Sequence, residues 1–159
     1  MIANTPPAPY YAVIFTSLRT EGDNGYGDME DGYSQDPAEV GRLACELVDV
    51  GAVGINLEDG SDAPALLAEK IRAIRAALKG RPLFINARTD VYLRQLKVEG
   101  APAQASIARL KLYQQAGADG AFVPGLTALS EVTEISSGVA MCTWNWLRAS
   151  SRSRTERLA

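Results

Sequence analysis

Six carboxylates lie among glycines and tyrosines in the stretch "GDNGYGDMEDGYSQDPAEV", residues 22–40. Two of them, Asp28 and Glu30, are two residues apart, and a third acidic residue, Glu58, ends the separate apolar run "AVGINLED". Mg²⁺ prefers oxygen ligands and gives up its water reluctantly, so carboxylates that hold it partly through water suit it. The sequence therefore predicts that Asp28, Glu30 and Glu58 hold a hydrated Mg²⁺ ion.

An arginine, Arg88, follows a second apolar run in "FINARTD". A guanidinium group is a planar fork that can hold a carboxylate or a phosphate with two hydrogen bonds. Together with the metal it indicates a pocket for a small dianionic acid whose developing enolate the metal stabilises. Spacing alone favours equally a structural ion pair of Arg88 with Asp90 or Glu58.

Other metal and nucleotide motifs fit the acidic stretch poorly. With Gly32 as the central glycine of an EF-hand, the first ligand positions would fall on Gly27 and Met29. The stretch lacks the spacing of a dinucleotide fingerprint, and no phosphate loop with its lysine occurs in the chain. Calcium-loop and nucleotide binding are therefore disfavoured.

Composition excludes several further classes. The 159 residues carry a net charge of −3, which disfavours a nucleic-acid partner, and the absence of histidine excludes Ser-His-Asp catalysis and histidine-bound zinc. The two cysteines, Cys45 and Cys142, have no CxxC spacing and indicate reduced thiols in a cytoplasmic protein. The N-terminal "MIANTPPAPYYAVIF" has no basic segment and only a short apolar run, so we expect no membrane partner.

Helices and strands alternate along the chain. Asp36 as N-cap, Pro37 at the first helical position and Glu39 completing a capping box predict a helix over 37–50. Apolar spacing predicts two more helices, over 63–79 and 103–116. Apolar runs predict strands at 11–17 and within "AVGINLED", "PLFINARTD" and "ADGAFVPG".

This alternation is typical of successive βαβ units, which wind into a doubly wound sheet or a (β/α)₈ barrel. Polar residues favour the barrel, because Glu58 with Asp59, Arg88 with Asp90, and the Pro124–Gly125 pair end three different strands. The carboxyl ends of barrel strands converge on one site. For any single strand, the simpler interpretation is that charged residues begin a solvated loop.

Four motifs carry a family resemblance: "DMEDGYSQDPAEV", "GAVGINLED", "FINARTDVYL" and "YQQAGADGAFVPGL". In this order they resemble the phosphoenolpyruvate mutase/isocitrate lyase superfamily over roughly residues 28–127. The resemblance implies a (β/α)₈ barrel that uses Mg²⁺ to stabilise an enolate of a small 2-oxo or 2-hydroxy acid. It matches Asp28 and Glu30 to the acidic metal pair, Glu58 to the third metal carboxylate, and Arg88 to the substrate-binding arginine.

The resemblance also implies further roles and reveals departures. We expect Arg88 and Glu58 to act in catalysis, and Asn86 of "NAR" together with Thr16 and Ser17 to contact the substrate. In lyase and mutase members a gating loop with a Lys-Cys-Gly motif follows the third carboxylate. Here "GSDAPALLAEK" follows instead, so the acid/base residue is not identified and cysteine-dependent cleavage is disfavoured.

Chain length departs from the family as well. A full barrel needs about 250 residues, so we predict a truncated barrel of five or six βα units over 11–140, a flexible arm at 1–10 and an atypical tail at 141–159. An open barrel exposes sheet edges, which predicts a homo-oligomer. The alternative to a lyase or phosphonomutase-like enzyme is an inactive remnant that serves at most as an assembly partner.

Overall fold

The computed structural model describes residues 13–15, 25–140 and 142–144, and the side chains of residues 29–140. Six strands form one sheet in chain order: β1 (Val13–Phe15), β2 (Gly25–Asp28), β3 (Ala52–Glu58), β4 (Phe84–Arg88), β5 (Gly120–Phe122) and β6 (Cys142–Trp144). Four helices follow β2 to β5: α1 (Pro37–Asp49), α2 (Pro64–Leu78), α3 (Pro102–Ala116) and α4 (Leu129–Gly138). β1 runs antiparallel to β2, whereas β2 to β6 are parallel.

The start of α1 confirms most of its predicted capping. The Asp36 carboxylate accepts from the backbone N–H of Ala38, and Pro37 occupies the first turn. The second half of the capping box is wrong, because Glu39 accepts instead from the hydroxyl of Ser34 at 2.7 Å. The backbone N–H of Asp36 donates to the same hydroxyl, at 3.0 Å. Ser34 thus stands between the two groups that a capping box joins directly.

The three predicted helices are confirmed within a residue at either end, and the predicted strands in "AVGINLED", "PLFINARTD" and "ADGAFVPG" correspond to β3, β4 and β5. The six strands agree with an incomplete (β/α)₈ barrel. Sequence reasoning missed three elements, β2, α4 and β6. "GYGD" of β2 has no apolar run, and α4 is rich in serine and β-branched residues, which lower helix propensity. The predicted arm at 1–10 and most of the predicted tail at 141–159 lie outside the described residues.

The helices cover one face of the sheet and form the core with it. Ile55, Leu57, Ile85 and Ala87 of the central strands are fully buried there. The alternate positions of each strand belong to the opposite face, because successive side chains of a strand point to opposite sides. On that face Asn56 aligns with Asn86 and Gly120, and Glu58 aligns with Arg88. Glu58, Asn86 and Arg88, three of the residues expected to do chemistry, therefore share the face that the helices leave uncovered.

Gly120 illustrates how tightly the uncovered face is packed in its middle. A Cβ atom there would lie 2.6 Å from Oδ1 of Asn86 and 2.8 Å from the ring of Phe84. Only glycine lets these two side chains lie over β5 without displacement. The glycine in β5 thus leaves the space that Asn86, in the middle of β4, occupies.

Candidate active site

An ion pair joins the carboxyl ends of the two central strands. Glu58 ends β3 and Arg88 ends β4, and Nη1 of Arg88 donates to Oε2 of Glu58 at 2.6 Å. Arg88 also grips Asp90, with Nε at 2.7 Å from Oδ1 and Nη2 at 3.2 Å from Oδ2. Glu58 is 8% exposed and Asp90 is fully buried. The arginine therefore lies between two carboxylates that water hardly reaches.

The structural ion pair, which sequence spacing left open for Arg88, is formed with both of its candidate partners. A guanidinium group has five N–H donors, and the contacts with Glu58 and Asp90 use three of them. The ring of Phe122 lies under the group, with its centroid 5.9 Å from the central carbon. This pairing orients Arg88 and still leaves donors for a ligand.

A second arginine that sequence analysis missed, Arg94, lies at the same place. Its Nε donates to Oδ2 of Asp90 at 2.8 Å, and its Nη2 lies 3.6 Å from Oε1 of Glu58. The side chain is 48% exposed. The signal in the sequence was the spacing of four residues from Asp90, which brings two side chains together on one helical turn.

Asp59 is the centre of a buried network that was also missed. Its carboxylate accepts from the hydroxyls of Thr89 (2.8 Å) and Tyr113 (2.6 Å), from Arg109 (2.7 Å) and from the backbone N–H of Asp90 (2.9 Å). Burial raises the pKa of Tyr113, and the charge of Asp59 raises it further. The network fixes the backbone that carries Asp90, and through it Arg88. Nothing in the sequence signals a contact between residues so far apart.

The loop after β2 brings two of the predicted metal ligands beside the third. The N–H of Glu58 donates to the backbone carbonyl of Glu30 at 2.7 Å, and Asp28 aligns with Asn56 in the sheet. Glu30 is exposed and has a φ of 46°, a left-handed conformation that is uncommon outside glycine. Positions 28, 30 and 58 are therefore neighbours along the backbone of one sheet edge.

Lys70 of α2 bonds to the loop that follows β2. Nζ of Lys70 in α2 donates to the carbonyl oxygen of Asp31 at 2.6 Å, and the residue is 2% exposed. Burial lowers the pKa of Lys70, although the nearby Asp31 and Asp62 oppose the shift. The helix therefore fixes the backbone next to Glu30.

The three predicted metal ligands are carboxylates, the donor type that Mg²⁺ prefers, and their backbone positions are neighbours. The side chain of Asp28 lies outside the described part, and among the side chains of residues 29–140 no group of three or more acidic, histidine or cysteine residues is arranged to hold a metal. Glu58 is engaged with arginine. Mg²⁺ keeps several of its waters in proteins, so a carboxylate that also accepts from a guanidinium can still contact it through water.

The predicted substrate residues have different outcomes. Asn86 is 8% exposed, donates from Nδ2 to Oδ1 of Asn56 at 2.8 Å, and lies on the same face as Arg88, two residues earlier in β4. Thr16 and Ser17 lie outside the described residues. The structure thus brings together Glu58, Arg88, Asn86 and the backbone of Glu30 at one edge of the sheet.

Comparison with known proteins identifies the family and the class of fold. The family model described as phosphoenolpyruvate phosphomutase matches residues 26–159, so the chain belongs to this family. The match extends beyond the 28–127 range of the recognised motifs, to the end of the chain. The superfamily, named from four motifs, is thereby confirmed.

Two relatives in sequence are an uncharacterised protein of Mycobacterium tuberculosis (strain H37Rv), 38% identical over 117 residues, and an oxaloacetate decarboxylase of Bradyrhizobium sp. (strain BTAi1), 32% identical over 133 residues. The matches cover 70% and 76% of this chain. They cover 42% and 41% of the relatives. The chain thus spans about two fifths of the length of the curated relatives that it matches.

Solved structures agree with this placement. A proposed phosphonomutase of Burkholderia cenocepacia J2315 is 32% identical with a TM-score of 0.68, over 74% of this chain and 51% of that one. A 2,3-dimethylmalate lyase of the PEP mutase/isocitrate lyase superfamily is 26% identical with a TM-score of 0.62, over 72% and 41%. A phosphonopyruvate hydrolase solved with oxalate and Mg²⁺ shares the fold, at 19% identity and a TM-score of 0.54, over 82% and 58%. Members of the superfamily are thus lyases and mutases of small acids.

Among the described residues no helix is long and apolar enough to span a bilayer.

Proposed function

We propose that this protein is a Mg²⁺-dependent lyase or phosphonomutase-like enzyme acting on a small 2-oxo or enolpyruvate-type acid. The observation that carries the proposal is the pair of Glu58 and Arg88 at adjacent strand ends, with the backbone of Glu30 bonded to that of Glu58. Acidic metal positions and a guanidinium thus meet at one edge, where parallel strands present their carboxyl ends. Relatives named for oxaloacetate chemistry support the substrate class.

Arg88 would bind the carboxylate of the substrate through the donors that Glu58 and Asp90 leave over. Because both acids hold the guanidinium before any ligand arrives, little side-chain freedom is lost on binding. The buried acids also hold the guanidinium of Arg88 in one orientation. Asn86, two residues earlier on the same face of β4, would contact a substrate oxygen.

Asp28, Glu30 and Glu58 would hold the metal. Mg²⁺ would act as a Lewis acid toward the negative charge that develops on the oxo acid as it becomes an enolate. The protein would contribute the fixed position of the two strands and of the loop after β2, which Lys70 ties to α2. Glu58 would link the metal to Arg88, because its Oε2 accepts from Arg88 at 2.6 Å and its carboxylate would also contact the metal through water.

Isothermal calorimetry with oxalate tests this proposal. Oxalate resembles a planar enolate of a small acid, so we expect saturable binding that requires Mg²⁺ and is lost in Glu58→Ala. Glu69→Ala in the exposed face of α2 is the matched control and should bind as the wild type does. Oxalate binding that is independent of Mg²⁺, or absent from the wild type, would contradict the proposed function.

A second candidate, an inactive assembly partner, is favoured by one observation. Val53 and Phe84, at the start of β3 and β4, are 42% and 41% exposed and line an open cavity of about 550 Å³. Large apolar side chains exposed together often mark a contact with another chain. Size exclusion with light scattering distinguishes the two: a defined homo-oligomer that still binds Mg²⁺ and oxalate supports the enzyme, and one that binds neither supports the partner.

A further inference from the structure

Arg94 is an exposed arginine that contacts both acidic partners of Arg88, and the described residues use few of its donors. Among residues 29–140, Nε is the only nitrogen of this guanidinium with a hydrogen bond, to Asp90 at 2.8 Å. The two terminal nitrogens carry four N–H groups, and one of these nitrogens is 3.6 Å from Glu58. A planar fork of this kind is suited to a carboxylate or phosphonate.

Backbone hydrogen bonds shape the turn that carries Arg94. Its N–H donates to the carbonyl of Asp90 at 2.9 Å, and the N–H of Leu96 donates to Val91 at 3.0 Å, so the segment after β4 forms a single helical turn. The loop after β5 packs against this turn. A Cβ atom at Gly125, where φ is 80°, would lie 3.1 Å from the backbone nitrogen of Leu93. Glycine at this position thus lets the loop after β5 approach the backbone of the residue before Arg94.

Arg88 and Arg94 are neighbours because they share both of their acidic partners. Nη2 of Arg88 and Nε of Arg94 contact the same oxygen of Asp90, at 3.2 and 2.8 Å. Each also faces one oxygen of Glu58, at 2.6 and 3.6 Å. The inner arginine is 19% exposed and the outer one 48%. A ligand whose first carboxylate reaches Arg88 would therefore have its far end beside Arg94.

We propose that Arg94 is a specificity-determining residue that binds the second anionic group of a dianionic substrate. The proposal rests on the proposed function, because it takes Arg88 as the site of the first carboxylate. The chain would then select four-carbon diacids, or three-carbon acids with a phosphonate, over monocarboxylic acids of the same size. The charges of the two arginines, Glu58 and Asp90 nearly cancel, and Arg94 adds to them a directed, charge-assisted contact with the second anionic group.

Two matched ligands test the role of Arg94. Malate is a 2-hydroxy diacid that does not lose carbon dioxide in solution, and its 4-methyl ester has nearly the same shape without the second charge. Both are titrated calorimetrically with saturating Mg²⁺ into the wild type, Arg94→Gln and the control Arg81→Gln. Arg81 is also exposed and also paired with one carboxylate, that of Asp49, away from the site.

We expect Arg94→Gln to lose about tenfold or more of its affinity for malate, as for a lost charge-assisted pair, and to bind the ester as the wild type does. Arg81→Gln should bind both ligands normally, and Arg88→Gln should lose both. The inference is overturned if Arg94→Gln binds malate like the wild type, or loses malate and ester alike. If the wild type itself shows no Mg²⁺-dependent binding of either ligand or of oxalate, the proposed function fails and this inference fails with it.

Discussion

Arginines at the amino ends and at the carboxyl ends of the strands have different hydrogen-bond partners. At the amino ends of β4 and β5, Arg75 of α2 donates to the backbone carbonyls of Gly117 and Leu83, with nitrogen–oxygen distances of 2.7 to 2.9 Å, and to the carboxylate of Asp119. Asp119 in turn accepts from the N–H of Ile85. At the carboxyl ends, the hydrogen bonds and ion pairs that Arg88 and Arg94 make among residues 29–140 all go to carboxylates, and Arg94 has a single hydrogen bond there.

The two arginines differ in how many N–H donors the rest of the protein leaves unused. Arg75 makes four hydrogen bonds within the fold and ties together the loops before two strands. Arg94 uses few of its donors among the described residues, and about half of its side chain is exposed to solvent. Residue type alone would not separate them. The partners do, because a guanidinium bonded to backbone carbonyls is part of the scaffold, and one held by acids beside open space can exchange partners with a ligand.

Arg75→Met should have the largest effect on stability. The substitution keeps an apolar stem of similar length but leaves the carbonyls of Leu83 and Gly117 and the carboxylate of Asp119 without this donor. We expect the free energy of unfolding to fall by about 2–4 kcal/mol, measured by urea denaturation. The control Arg81→Met removes one exposed ion pair and should cost about 0.5 kcal/mol or less. Equal losses in the two variants would remove the distinction between the edges.

Tyr113→Phe should have an intermediate effect, because it removes one of the four donors to the buried carboxylate of Asp59. We expect a loss of about 1–2 kcal/mol at neutral pH. The folded pKa of Tyr113 is raised above its ordinary value of 10.0 by burial and by Asp59. Its contribution is therefore fully present below pH 10 and declines as pH rises above that value.

The pH dependence separates this contribution from simple packing. Urea denaturation from pH 7 to 11 should show the wild type losing stability above pH 10 more steeply than Tyr113→Phe. Parallel curves for the two proteins would mean that the hydroxyl does not remain protonated against Asp59 in the folded state.

Arg94→Gln should have the smallest effect on stability, about 1 kcal/mol or less, since the side chain is half exposed and makes one hydrogen bond within residues 29–140. Urea denaturation at neutral pH measures it alongside Arg75→Met. A loss as large as that of Arg75→Met would mean that Arg94, like Arg75, stabilises the fold, and would contradict the difference between the two arginines.

Much of the fold was predictable from local pattern. The helix after Asp36 was predicted within a residue because its cap, its first-turn proline and its apolar stripe agree, and β3 was clear because a strand buried on one face and closely packed on the other has a continuous apolar run. β2 was not, since "GYGD" carries two glycines and no apolar alternation. Its strand conformation comes from pairing with β1 and β3, which are distant contacts that no local window contains.

The part of the site that lies at the ends of predicted strands could be predicted from the sequence. Glu58 and Arg88 end consecutive strands, so parallel pairing had to bring them together, and the structure aligns them in register. Asp59 was noticed only as a charge at the same strand end. Its partners Arg109 and Tyr113 come from α3, some fifty residues away, and only the helix packing reveals them. The metal assignment of Asp28, Glu30 and Glu58 stays a prediction.

A crystal structure of the protein with Mn²⁺ and oxalate tests that assignment most directly, because Mn²⁺ takes the same oxygen ligands as Mg²⁺ and is located by its anomalous scattering. We predict one Mn²⁺ ion at the carboxyl ends of β2 and β3, bound directly or through one water by Asp28, Glu30 and Glu58, with oxalate between the ion and Arg88. An ion bound elsewhere, or these three carboxylates turned toward different faces of the sheet, would contradict the account.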